Sequence, residues 1–277
     1  FILKNPTDLL NQMKKAKAKG FNENAFEAEV SRLIQKRIAD GERFTGPVTL
    51  PVIFHVVYRN ADVLGNNSAN LSTAKYQAQI NQLNIDYANL AGSTYGAIAS
   101  DVQIRFCMAL VDTAGRPLAT PGIDRINGEA RGWDDTDPMD IATVQDYFDA
   151  TIKPESYWDP YSYINIWSGS MSASGLLGYA SFPLLSTLPG MEETETLTSA
   201  GVVVNWESIG SVASPGVGAP YDQGRTLTHE LGHFFGLRHI WGDDTCGDDY
   251  CADTPAQDAE TSGCPSGAQA NNCVPAT

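Results

Sequence analysis

The sequence predicts an α/β (α+β) fold in which strands and helices alternate ahead of an irregular C-terminal stretch. Three observations predict it. Short β-branched and aromatic runs are separated by longer runs with helical periodicity. No internal repeat interrupts that alternation. From Gly242 to Thr277 the apolar runs give way to Gly, Asp, Pro and Cys, a composition that needs ions or disulfides to hold a shape.

Residues 1–45 read as a separate N-terminal arm or pro-segment. The arm is Lys-rich between Met13 and Lys19, and a helix follows over about 25–40. Phe26, Val30, Leu33, Ile34 and Ile38 share one face of it. Asn24, with Glu27 three residues on, forms a capping box, and Gly41 is a natural stop. A compact domain runs from Gly46 to Thr277. Val48 to Tyr58 (VTLPVIFHVVY) is a strand. Ser72 caps a helix reaching about Leu90, with Tyr76, Ile80, Leu83 and Tyr87 on one face. Val102 to Val111 is a strand that ends at the turn Ala114-Gly115-Arg116-Pro117. Asp140 to Ile152 is helical. Tyr163 to Trp167, Leu177 to Phe182 and Gly201 to Trp206 are short strands. The last helix begins near Leu227.

The formal net charge is −15 and is unevenly spread. Residues 1–45 carry nine Lys/Arg against six Asp/Glu; the remainder carries nine against twenty-seven. An acidic body argues against nucleic acid and anionic membranes as partners, and it suits basic peptides. No run of about 18 apolar residues marks a membrane span. No basic segment leading into an apolar one marks an intact signal peptide. Of the five cysteines, Cys107 stands apart, while Cys246, Cys251, Cys264 and Cys273 cluster. Their spacing contains no C-x2-C knuckle, which disfavours structural zinc. Disulfides in an extracytoplasmic compartment fit better, so the chain reads as secreted. The odd count leaves one thiol free or paired outside this chain.

The chemistry is concentrated in residues 226–241, TLTHELGHFFGLRHIW. On a helix, His229 and His233 stand one turn apart on one face and converge on one point. Neutral imidazole is a good Zn2+ ligand. Glu230 directly follows the first ligand and reaches the open coordination position. His239 lies too far along to face the same point if the helix continued. The helix must stop, and Gly236 supplies the left-handed turn that returns the third histidine to the metal. Three neutral ligands leave zinc its full charge and one open site. A water there is acidified towards a pKa of about 7. Glu230 is the base that takes its proton and passes it to the leaving amine. The fourth histidine, His55, sits in an apolar strand and reads as half-buried and hydrogen-bonded.

The motif HExxHxxGxxH is the metzincin signature, and the flanking chain resembles the pappalysin family of metalloendopeptidases, in particular its bacterial members. The resemblance runs over roughly 48–277. It is carried by LPVIFHVVY, QINQLNIDYANL, IRFCMALVDTAGRP, SYWDPYSYINIWSGSM, LLGYASFP and DYCADTP. It implies an N-terminal subdomain (46–236) with a twisted mixed sheet and two long helices, and the start of an irregular C-terminal subdomain (237–277), with the cleft between them. It implies that Gly178, Tyr179, Ala180 and Ser181 form the upper-rim strand against which extended substrate pairs. It implies a structural Ca2+ in the loop from Asp243, with Asp249 and Thr254 as ligands. It implies a Cys246–Cys273 disulfide, with Cys264 bonded to a later cysteine and Cys251 extra, which leaves open whether Cys251 pairs with Cys107, with Cys246 or with neither. It implies protein or peptide substrates cut before Arg or Lys.

The family also carries a Met-containing turn downstream of the third histidine. The last methionine here is Met191, so the reading expects a truncated domain. That leaves a competing reading, a non-catalytic module that holds zinc on the same scaffold. Residues 1–45 contain no cysteine to occupy the metal. As a pro-segment the arm would cover the cleft by other means, with self-cleavage expected near Arg43. The sequence fixes no oligomeric state.

Overall fold

A computed structural model describes residues 2–3, 22–41, 46–92, 96–133, 141–181, 196–252, 254–261 and 271–273. Its elements in chain order are β1 (Ile2–Leu3), α1 (Glu23–Ala39), β2 (Val48–Tyr58), α2 (Thr73–Tyr87), β3 (Ile104–Met108), β4 (Ile123–Asn127), α3 (Ile141–Tyr147), α4 (Lys153–Ser156), β5 (Ile164–Gly169), β6 (Leu176–Ala180), β7 (Val202–Asn205) and α5 (Arg225–Phe234). The α/β expectation holds: seven strands form one mixed sheet in the order β1-β6-β7-β5-β2-β3, with β4 also on β2.

The long strand β2 organises the sheet. Its apolar run is buried on both faces, as a central parallel strand requires. One edge pairs with β5. The other is shared: β3 runs beside residues 48–52 and β4 beside 54–58, all parallel. β7 continues the parallel array beside β5, and β6 reverses it, antiparallel to β7. Val52, Phe54, Val56, Ile166 and Val202 face α2 and α5, where Tyr76, Ile80, Leu83, Leu227 and Leu231 complete one core. Val57, Trp167 and Val203 face the other way, onto Val144, Phe148 and Ile152.

That second layer contains a wide turn. After α3 the chain passes through a π-helical turn, Phe148–Ile152, into α4. The turn carries Asp149, whose carboxylate takes the buried Lys153 ammonium at 2.7 Å and the Tyr179 hydroxyl at 2.8 Å. Lys153 also donates to the Ser199 carbonyl and lies over the Trp167 and Tyr179 rings. A buried ammonium is tolerable only with such partners. The cluster ties β6 to the helical layer behind it.

Four points of the local reading need correction. The cap of α1 is Asn22, whose side chain accepts from the Ala25 amide; Asn24 already lies inside the helix. The apolar face of α1 is docked only at its start. Phe26 is buried, but Ile34 and Ile38 are exposed. β4 was absent from the sequence reading. His55 is fully buried, with Nδ1 against Asp124 and Nε2 against Asn165. The Lys-rich stretch Met13–Lys19, Arg43, Met191 and Cys264 lie outside the described residues.

Candidate active site and metal centre

α5 is held in place by α2. The buried Gln79 amide donates to the Gly224 carbonyl at 3.0 Å and accepts from the Gly210 amide at 3.1 Å. The Asp86 carboxylate takes Arg225 at 2.9 Å and the Thr228 hydroxyl at 2.7 Å. Gly224 starts α5 with φ +76°, and a Cβ there would stand 2.4 Å from the Gly210 carbonyl oxygen. Only glycine allows this approach.

α5 then presents its ligands as expected. His233 Nε2 lies 2.9 Å from His229 Nε2 and 3.1 Å from His239 Nε2. Tetrahedral zinc at roughly 2.0–2.1 Å from each nitrogen sets such atoms about 3.3 Å apart, so the donor set fits the ion with small outward shifts. The helix ends at Phe234, and Gly236 turns with φ +99°. The Leu237 amide bonds back to the Gly232 carbonyl at 2.9 Å, which closes the helix and sends His239 back to its partners.

Two of the rings are oriented from behind. His233 Nδ1 donates to the Leu237 carbonyl at 2.8 Å. His239 Nδ1 faces the Asp243 carboxylate at 2.6 Å, and the Trp241 indole stacks on the same ring at 4.3 Å. Both partners are acceptors, so the proton sits on Nδ1 and the Nε2 lone pair faces the metal position. Burial drives both helical imidazoles towards the neutral form, His229 down to about 3 and His233 further. His229 nevertheless keeps an exposed edge.

Glu230 is fully buried on the adjoining face of α5, against β6. At Gly178 a Cβ would come within 2.9 Å of Glu230 Cγ and 3.3 Å of its Oε1. The missing side chain is what lets the carboxylate lie under the strand. Ala180 ends β6 and Ser181 follows it. The Tyr179 hydroxyl donates to Asp149, and the Ser181 hydroxyl donates to the Gly201 carbonyl and accepts from its amide. The outer edge of β6 carries β1, antiparallel, with Ile2 opposite Gly178.

The Asp243–Thr254 loop is less complete. Asp249 accepts from the Cys251 amide at 3.0 Å, and the Thr254 amide donates to the Cys251 carbonyl. Among the described residues, the three histidines are the one place where three such ligand side chains converge. Asp243 turns to His239, a role the sequence reading missed. Its position four residues past the last histidine was the available signal. Cys246 and Cys273 form a disulfide; Cys107 is an exposed free thiol.

A mixed sheet whose antiparallel strand β6 lies on a helix carrying two ligand histidines and a glutamate, with a third histidine returned by a glycine turn, defines a metallopeptidase of the metzincin type. The family model described as pregnancy-associated plasma protein-A, that of the M43 peptidases, matches residues 146–277. Mature mirolysin of Tannerella forsythia, solved with a cleaved peptide, is 32% identical with a TM-score of 0.64, over 83% of this chain and 79% of that one. The chain belongs to the pappalysin family of metallopeptidases. A promirolysin mutant from the same organism aligns over 95% of this chain and 79% of its own, at 29% identity and TM-score 0.66. An extracellular metalloprotease of Arthroderma gypseum is 27% identical over 249 residues, 88% of this chain and 67% of that protein. The chain spans about two thirds of the length of the first curated relatives it matches, 67% and 64%.

Proposed function

We propose that the protein is a secreted zinc endopeptidase with Glu230 as its catalytic base. The observation that carries this reading is the convergence of three Nε2 atoms beside a buried carboxylate one residue from the first of them. His229, His233 and His239 would hold the ion as neutral ligands. When bound, zinc supplies Lewis acidity to the attacking water and to the scissile carbonyl. Glu230 takes a proton from that water at its carboxylate and delivers it to the leaving amine nitrogen. Its burial keeps bulk water from competing for the proton.

Substrate lies along the outer edge of β6, bonded through the backbone of Gly178 to Ser181. The antiparallel pairing of Ile2–Leu3 with that edge supports this, because it is the arrangement an extended peptide would use. The acidic body supports a preference for cutting before Arg or Lys. The disulfide and the extracellular metalloproteases among the relatives support secretion. Among the described residues no helix is long and apolar enough to cross a membrane.

Residues 1–45 act as a pro-segment. The promirolysin mutant aligns over 95% of this chain, against 83% for the mature enzyme, which supports the assignment. So do two contacts. β1 occupies the β6 edge. Glu27 of α1 pairs with Arg238 at 2.9 Å, both side chains largely buried. Asp249 and Thr254 would hold a structural calcium ion. Among the described residues its loop has no regular element, and the Tyr250 and Cys251 amides donate to the Asp248 and Asp249 carboxylates. Calcium addition to chelator-treated protein should raise its melting temperature if the ion belongs there.

Cleavage of a random peptide library by the wild type and by Glu230→Ala tests the reading. The variant is expected to retain zinc and lose about 10²–10⁴-fold in rate. Equal cleavage by both would refute it. A new N-terminus near Arg43 in the wild type alone would assign arm removal to the enzyme itself.

A further inference from the structure

His239 differs from the other two ligands in what holds it. His229 and His233 inherit their direction from α5, but His239 follows the end of the helix. Something outside regular structure must fix its ring. We propose that Asp243 does so, as a positioning residue that sets the tautomer and plane of His239 for metal binding. The proposal rests on the reading of the three histidines as the metal site.

The turn after His239 is built for this contact. The Gly242 amide bonds back to the His239 carbonyl at 2.9 Å. Gly242 and Asp243 are both left-handed, each with φ +58°. At 242 no side chain fits, since a Cβ would stand 2.3 Å from the Asp248 amide nitrogen. At 243 aspartate is among the few non-glycine residues that tolerate this backbone. The double left-handed step folds the carboxylate onto the ring that precedes it by four residues. Asp243 Oδ1 then sits 2.6 Å from His239 Nδ1, with 5% of the histidine side chain and 19% of the aspartate side chain exposed.

The chemistry of the pair fixes the direction of the proton. An ionised carboxylate only accepts, so Nδ1 carries the hydrogen and Nε2 presents its lone pair. The stacked Trp241 indole, inclined by 8°, prevents the ring from rotating out of that plane. The negative charge also makes the imidazole a stronger donor and offsets part of the charge of a divalent ion held by three neutral ligands. The main-chain carbonyl behind His233 can orient a ring but carries no charge. Asp243 therefore brings a charge to His239 that the Leu237 carbonyl does not bring to His233.

The test is zinc affinity by chelator competition on the full chain. Asp243→Ala is expected to weaken zinc about 10–100-fold. Asp243→Asn keeps an acceptor but loses the charge, and is expected to fall between it and the wild type. Asp244→Asn removes a neighbouring charge whose carboxylate accepts from the Thr245 amide and, among the described residues, does not meet the histidines, and should leave affinity unchanged. Side-chain ¹⁵N spectra of the zinc-loaded protein give a readout that general damage to the fold would not mimic. In Asp243→Ala the His239 Nδ1–H signal should be lost to solvent exchange while that of His233, bonded to Leu237, persists. Wild-type affinity in Asp243→Ala would overturn the proposal. So would equal weakening by Asp243→Asn and Asp244→Asn. A wild type that binds no zinc would overturn the metal-site reading and this inference with it.

Discussion

At Gly178 the absence of a side chain makes room for the buried Glu230 carboxylate. An alanine there would put a methyl carbon 2.9 Å from Glu230 Cγ and 3.1 Å from the Val203 carbonyl oxygen. β6 is fixed by its pairing to β7, so the softer Glu230 side chain must move. A displacement of about 1 Å in a reacting group can cost on the order of 10²-fold in rate. Gly178→Ala is expected to lower kcat by about that factor with zinc content unchanged, as read by steady-state kinetics and metal analysis. Unchanged kcat would contradict the packing argument. The imidazoles make a second prediction at this scale. Burial lowers His229 to about 3 and His233 further, whereas both titrate near 6.5 in an unfolded chain. Below about 6.5 the unfolded state therefore binds more protons than the folded one. Metal-free protein is most stable above that pH and loses stability as the pH falls from about 6.5 towards 3. His233, buried, should carry more of the effect than the partly open His229. Urea midpoints of metal-stripped protein should be lower at about pH 5 than at about pH 7.5, and His233→Ala should reduce the difference.

Among the elements, those written in local pattern were legible and those that depend on a partner were not. α2 and β2 declare themselves by periodicity and by an unbroken apolar run. The zinc helix declares itself by spacing, and Gly236 by the need for a turn. β4 is different. Ile123–Asn127 (IDRIN) is half polar and sits between glycines, and it is a strand only because β2 outlasts β3 and leaves an edge to fill. The Asp243 contact was missed for a related reason: its spacing from His239 hints at it, but it depends on two left-handed residues that no periodicity announces. The π-helical turn between α3 and α4 lies inside a segment read correctly as helical, and its purpose appears only with Lys153. Removing one partner of a buried ion pair costs about 3–5 kcal/mol. Asp149 is about a third exposed, so Lys153→Met is expected to cost somewhat less, about 2–3 kcal/mol by urea denaturation. No measurable loss would mean that the cluster does not brace β6.

At the scale of the whole molecule the chain has two unequal halves. The sheet and its helices bury a core on both faces, but past His239 the chain has no regular element among the described residues. The Cys246–Cys273 bond spans that stretch with a separation of 27 residues. Closing a loop of this length contributes about 3–4 kcal/mol in the chain-entropy account. Reduction is expected to speed proteolysis between residues 242 and 261 and to leave the sheet intact, as limited digestion with mass spectrometry would show. Equal cleavage rates with and without reductant would contradict this. The arm, basic where the body is acidic, meets the loop that carries His239 through Glu27 and Arg238 and the edge of β6 through β1. The proposed activity and the role of Asp243 both depend on the three histidines being a metal centre. Elemental analysis of the purified full chain, beside His233→Ala, tests that most directly. The account predicts one zinc per wild-type chain and none in the variant; a wild type without zinc, or a variant that keeps it, would contradict it.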